Sequence, residues 1–136
     1  MRQVWRSVCV VAVLSLLGSG AAFGADYSVA GIDNPALVTH CLTTLRQAVS
    51  GDDREGVAAL VRFPIKATVD GRLRSVKNKA AFLVQYDAIM TEAVRAAILK
   101  PEHGQLFVNS QGVMLGDGQI WLGLVGRSVR VIAINN

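Results

Sequence analysis

Between Gln105 and Asn136 the chain carries three apolar runs with hardly a break, over residues 106–115, 120–125 and 129–134. Gly116-Asp117-Gly118 separates the first two, and Gly126-Arg127-Ser128 separates the second two. Val, Ile, Phe and Trp fill the runs while glycines supply positive-φ corners, so the spacing predicts an antiparallel meander of three long strands. The stretch has no Glu, His, Cys or Tyr, and its only Asp is Asp117, in a turn. A sheet of that composition offers almost nothing that exchanges a proton near neutral pH, which argues against acid–base chemistry centred on it.

The N-terminus reads as a secretory signal. Arg2 and Arg6 form a basic start, residues 10–17 form an apolar core too short to cross a bilayer, and Ala22-Phe23-Gly24 places small residues before a cleavage point. The expectation is a signal peptide over residues 1–24, a mature start at Ala25, and a periplasmic or secreted protein without stable membrane insertion. The chain has 14 Lys and Arg against 10 Asp and Glu. Without Arg2 and Arg6 that becomes twelve against ten, so the high pI partly describes the leader. Residues 25–136 make one domain, long enough to build a core without metal or disulfides. Cys41 is the only cysteine left after the leader, so no internal disulfide can form, and it reads as a small buried hydrophobe.

Asn34 before Pro35 is an N-cap followed by proline at the first helical position. Leu37, Val38, Cys41, Leu42, Leu45 and Val49 then form one apolar stripe, and Gly51 fits the helix end. Asp52 and Glu55 resemble a capping box opening a short second helix, which Phe63-Pro64 ends. Residues 65–69 and 72–76 read as a hairpin around Asp70-Gly71, placed at an edge because neither face is cleanly apolar. A third helix starts near Asn78, with Phe82, Tyr86, Ile89, Met90, Ala93 and Val94 on one face and a break where Thr91 can cap a further segment. Lys100-Pro101 stops it. The order is helix, short helix, hairpin, helix and three strands: an α+β layout with helices on one face of a curved antiparallel sheet.

In that order of elements, in Gly51-Asp52-Asp53-Arg54-Glu55-Gly56-Val57-Ala58-Ala59-Leu60 after a long first helix, and in Gly112-Val113-Met114-Leu115-Gly116-Asp117-Gly118-Gln119-Ile120-Trp121, the chain resembles the NTF2-like superfamily. This is the α+β cone shared with ketosteroid isomerases, SnoaL-type cyclases and many small exported domains. The resemblance covers residues 34–134 and implies a pocket between sheet and helices. It carries no catalytic signature, and fold does not fix function.

Strand alternation would place Phe107, Asn109 and Gln111 on one face of the first long strand. Asn109 and Gln111 are the candidates for orienting a small apolar ligand by hydrogen bonds, with Trp121 as a stacking surface and Tyr86 on the helical side. Tyr86 and Asp87 point about 100° apart on a helix, so both can hardly serve one substrate. Neither His40 nor His103 has a partner at ligand spacing, and no metal or cofactor is implied. Lys66, Arg72, Arg74, Lys77 and Lys79, opposed only by Asp70, form a basic segment suited to an acidic protein partner. Nucleic acid is excluded by the absence of interleaved aromatics. The leading expectation is a non-enzymatic envelope domain binding a small molecule or a protein. The alternatives are a small-pocket isomerase or cyclase, and an immunity or inhibitor protein against an envelope-acting effector.

Overall fold

The computed structural model describes residues 26–100 and 106–136. The signal segment expected over residues 1–24, and His103, lie outside the described residues. Helix α1 (Pro35–Ser50) opens as its sequence dictates, with the Asn34 side chain accepting the Ala36 N–H at 3.0 Å and proline at the first position. It buries Val38, Cys41, Leu42, Leu45, Ala48 and Val49. Helix α2 (Arg54–Ala59) is capped one residue later than its sequence suggests. The Asp53 carboxylate accepts the Gly56 N–H at 2.9 Å, whereas Asp52 takes the left-handed turn position at φ 49°. No capping box forms, because with Asp53 as the cap the N3 position falls on Gly56, which has no side chain; Glu55 pairs with Lys79.

Strand β1 (Val61–Val69) starts earlier than expected. Phe63-Pro64 does not end a helix; α2 stops at Ala59 and the proline lies within the strand. A proline has no N–H for the ladder, and the parallel pairing of β1 with the last strand is interrupted between Val61 and Lys66. Asp70 and Gly71, both at positive φ (49° and 74°), turn the chain into β2 (Arg72–Val76), with Val69 opposite Arg72. The expected third helix is three pieces: α3 (Lys79–Val84), α4 (Tyr86–Ile89) and α5 (Glu92–Leu99). Asn78 caps α3, and Thr91 makes the anticipated break by accepting the Val94 N–H. The α5 end is closed from outside, because Arg46 of α1 donates to the carbonyls of Ile98 (2.8 Å) and Lys100 (3.1 Å).

The late stretch forms β3 (Phe107–Asn109), β4 (Gly112–Leu115), β5 (Ile120–Val125) and β6 (Ser128–Ile134). Residues 106–115 were expected as one strand, and they are two, folded back at Ser110-Gln111. The Asn109 side chain accepts the Gln111 N–H at 2.8 Å, and Gly112 takes φ 147°. The six strands run β2-β1-β6-β5-β4-β3 in a mixed, curved and unclosed sheet, parallel only between β1 and β6. The architecture is therefore α+β.

The core lies between the sheet and the helices. Leu45, Phe82, Tyr86, Ile89, Met90 and Ile98 from the helices meet Ile65, Leu115, Ile120, Leu122 and Ile134 from the sheet, all at most 1 % exposed. Phe63, Phe82 and Tyr86 stack edge to face with centroids 5.8 Å apart at each step. Among the described residues no carboxylate, cation, amide or aliphatic hydroxyl side chain is buried; Tyr27, Cys41 and Tyr86 bring the polar atoms of the core.

Candidate functional site

Because side chains alternate along each strand, burying one set on the core commits the other set to the far side. The register makes that far side explicit. Phe107, Met114, Trp121, Ala133, Lys66 and Ser75 stand opposite one another in a single row across all six strands. Ile132 is the extra residue where the β5–β6 pairing shifts, and its side chain lies over Gly123, where a Cβ would come within 2.7 Å of its Cδ1. Phe107 is 54 % exposed and meets Trp121 edge to face at 6.4 Å. Met114, Trp121, Val125, Ile132 and Ala133 are half-buried, and none of them joins the core.

The sequence carries this surface in a form the strand pattern alone does not expose. A sheet with one solvated face alternates apolar and polar residues, whereas β4, β5 and the second half of β6, from Val131 on, are apolar at both parities. That pattern belongs to strands covered on both sides. The helices cover one.

One flank of the apolar row is basic. Val61, Ile65, Ala67 and Val69 are buried, so Arg62 and Lys66 stand on the outer side of β1, both exposed. Arg130, opposite Gly123, joins them, and its guanidinium donates to the Ala59 carbonyl at 3.0 Å instead of to an acid. The expected basic segment does not act as one patch. Arg72 and Arg74 pair with Val69 and Ala67 and so share the helix-side face, whereas Lys66 points the other way. Lys79 is engaged by Glu55, and Lys77 is exposed before α3. Arg62, Arg130, Phe107, Met114 and Ile132 escaped the sequence reading because their grouping depends on register.

The expected ligand-orienting residues are likewise dispersed. Asn109 ends β3 on the same face as Phe107, and Gln111 lies in the turn after it, where its N–H is taken up by the Asn109 oxygen. Tyr86 is buried on the helix side, at 1 % exposure. Trp121 alone lines an open pocket of 370 Å³ at one end of the outer face, together with Met114, Asp117, Gly118, Gln119, Asn135 and Asn136. The amides there are structural: Gln119 accepts the Asp117 N–H at 2.6 Å, and Asn135 donates to the Gly118 carbonyl at 2.9 Å. Asn136 donates to the Thr68 and Ala88 carbonyls and accepts the Thr91 hydroxyl, so it ties the helix break to β1.

Around Tyr86 the groups that acid–base chemistry would need point apart. Burial, above all, raises the Tyr86 hydroxyl above its ordinary pKa. Asp87 faces solvent, where Arg54 holds it at 3.1 Å while the guanidinium lies over the Tyr86 ring at 4.7 Å. Such an exposed pair contributes little. Asp87→Asn is therefore expected to shift the melting temperature by less than about 4 °C. A larger drop in a thermal scan would mean that Asp87 organises more than its contact with Arg54.

Among the described residues no group of three His, Cys, Asp or Glu side chains could hold a metal ion, and no helix is long and apolar enough to cross a membrane. No protein-family model, no curated protein and no solved structure matches the chain.

Proposed function

We propose that this chain is a non-enzymatic binding domain of NTF2-like type, exported to the cell envelope, that engages a protein partner through the outer face of its sheet. The observation that carries the reading is the row Phe107–Met114–Trp121–Ala133, apolar, uncovered by any described helix and continuous with Lys66. An exposed apolar surface with a charged margin is the signature of a protein–protein site. Binding is also favoured over isomerase-type catalysis by an interior that holds Tyr86 without any carboxylate beside it and by the outward direction of Asp87. An immunity or inhibitor role is one form of the same reading, with an envelope-acting effector as the partner.

A small-molecule version has its own observation, the 370 Å³ pocket beside Trp121. The two separate in one experiment. Protein purified from its own envelope fraction is expected to carry a second chain in native mass spectrometry, and Met114→Lys and Trp121→Lys should each reduce that complex at least tenfold. Asp87→Asn should retain it. Retention of the second chain by both lysine variants would sink the proposed site, and a retained small mass lost with Trp121→Lys would favour the pocket. N-terminal sequencing of the same material is expected to begin at Ala25, and a start at Met1 would remove the envelope location.

A further inference from the structure

The outer face is too narrow for a sheet and the right width for one helix. From Phe107 on β3 to Ala133 on β6 it crosses three strand spacings, about 14 Å, and from Trp121 to Val125 it runs about 13 Å along the strand. A helix with its side chains is about 10–12 Å across, and three turns span about 16 Å. The apolar patch thus projects to roughly 200 Å², the footprint of one short helix. Two copies of this chain stacked sheet to sheet would rely on an apolar contact of that size.

Charge points away from a second copy as well. Arg62, Lys66 and Arg130 border the patch, no strand position on this face holds an acid, and no described carboxylate forms an ion pair with any of the three. A second copy would bring three more cations against one acid, Asp117 in the turn at the end of that face. Resting on the protein-partner reading above, we propose that the occupant is an amphipathic helix of another protein whose apolar face covers Phe107, Met114, Trp121 and Ile132 and whose acidic flank meets Arg62, Lys66 and Arg130. That helix would supply on the outer side the layer that α1 and α5 supply on the inner one.

The test uses two synthetic 18-residue helical peptides with the same Leu/Phe face, one with a Glu flank and one with a Lys flank. They are titrated against the full chain by calorimetry. Trp121 and Trp5 are the only tryptophans, so a Trp5→Phe background makes the emission report on the face itself. The Glu peptide is expected to bind at least tenfold more tightly than the Lys peptide and to shift Trp121 emission to the blue. Added salt should weaken its binding, and Arg62→Glu with Lys66→Glu should invert the preference. Equal affinity for the two peptides, or binding by neither, overturns the acidic helix. So does a dimer in sedimentation that Trp121→Lys dissociates, since a second copy then owns the face. If the lysine variants still strip the co-purified chain while the peptides are not told apart by charge, the acidic helix fails and the protein-partner reading stands.

Discussion

Gly112→Ala is expected to cost about 4 kcal/mol or more, close to the whole stability of a small domain. Gly112 sits at φ 147°, a backbone conformation that side-chain-bearing residues avoid at a cost of about 1–3 kcal/mol. A Cβ placed there would also lie 2.2 Å from the Leu122 carbonyl oxygen. That neighbour is backbone, and it belongs to the β5 strand with which β4 pairs, so relief requires moving the ladder itself. Gly123→Ala is the matched control. Its Cβ would meet Ile132 Cδ1 at 2.7 Å, the far end of a flexible side chain that can rotate away, and its φ is ordinary. We expect about 1 kcal/mol or less there. Urea unfolding of the two variants decides it, and a Gly112→Ala protein as stable as the parent would mean that the β3–β4 fold-back is wrong.

The same glycine shows why the sequence told only part of the fold. Where turn chemistry is local and strong it was legible. Asp70-Gly71 needs only two residues at positive φ, Asn34-Pro35 needs only a cap and a missing donor, and Thr91 needs only a hydroxyl near the Val94 N–H. At Ser110-Gln111 neither central residue adopts positive φ, and the turn rests on an Asn109 side-chain bond and on Gly112 after it. No two-residue signal marks that arrangement, so a hairpin read as a strand. Its consequence reached the site, because Gln111 lost the strand alternation that Asn109, at the end of β3, still shares with Phe107.

The proposed binding face was illegible for a different reason. Lys66 and Arg72 are near in sequence, yet the pairing of Ala67 with Arg74 and Val69 with Arg72 sends them to opposite faces. Arg62 and Arg130 are far apart in sequence, and the parallel β1–β6 pairing brings their strands together. Proximity in sequence grouped cations that the sheet separates, since only register decides which side of a sheet a charge occupies. The one usable signal was compositional: β4, β5 and the end of β6 are apolar at both parities, a pattern that belongs to strands covered on both faces.

The other large effect is a loss of stability in alkali that Cys41 should carry. Its side chain lies on the inner stripe of α1 at 2 % exposure, and burial pushes its thiol from 9.0 up to about 11, with Arg130 pulling the other way. In the unfolded chain the thiol ionises near 9, so as pH rises the unfolded state loses its proton first. The contribution is therefore complete below pH 9 and disappears as pH climbs through 11, a total of about 3 kcal/mol. Tyr86, raised chiefly by burial, adds a loss of the same sign above pH 10. Cys41→Ala should be less stable at pH 7 by about 1–2 kcal/mol, because a small void replaces the sulfur. Its stability should nevertheless fall less steeply between pH 9 and 11 than that of the parent, so the two curves converge and cross by about pH 11. Chemical unfolding at half-unit pH steps measures both. Parallel curves would show that the thiol ionises alike in the folded and unfolded chain, which a cysteine sealed beneath α1 cannot do.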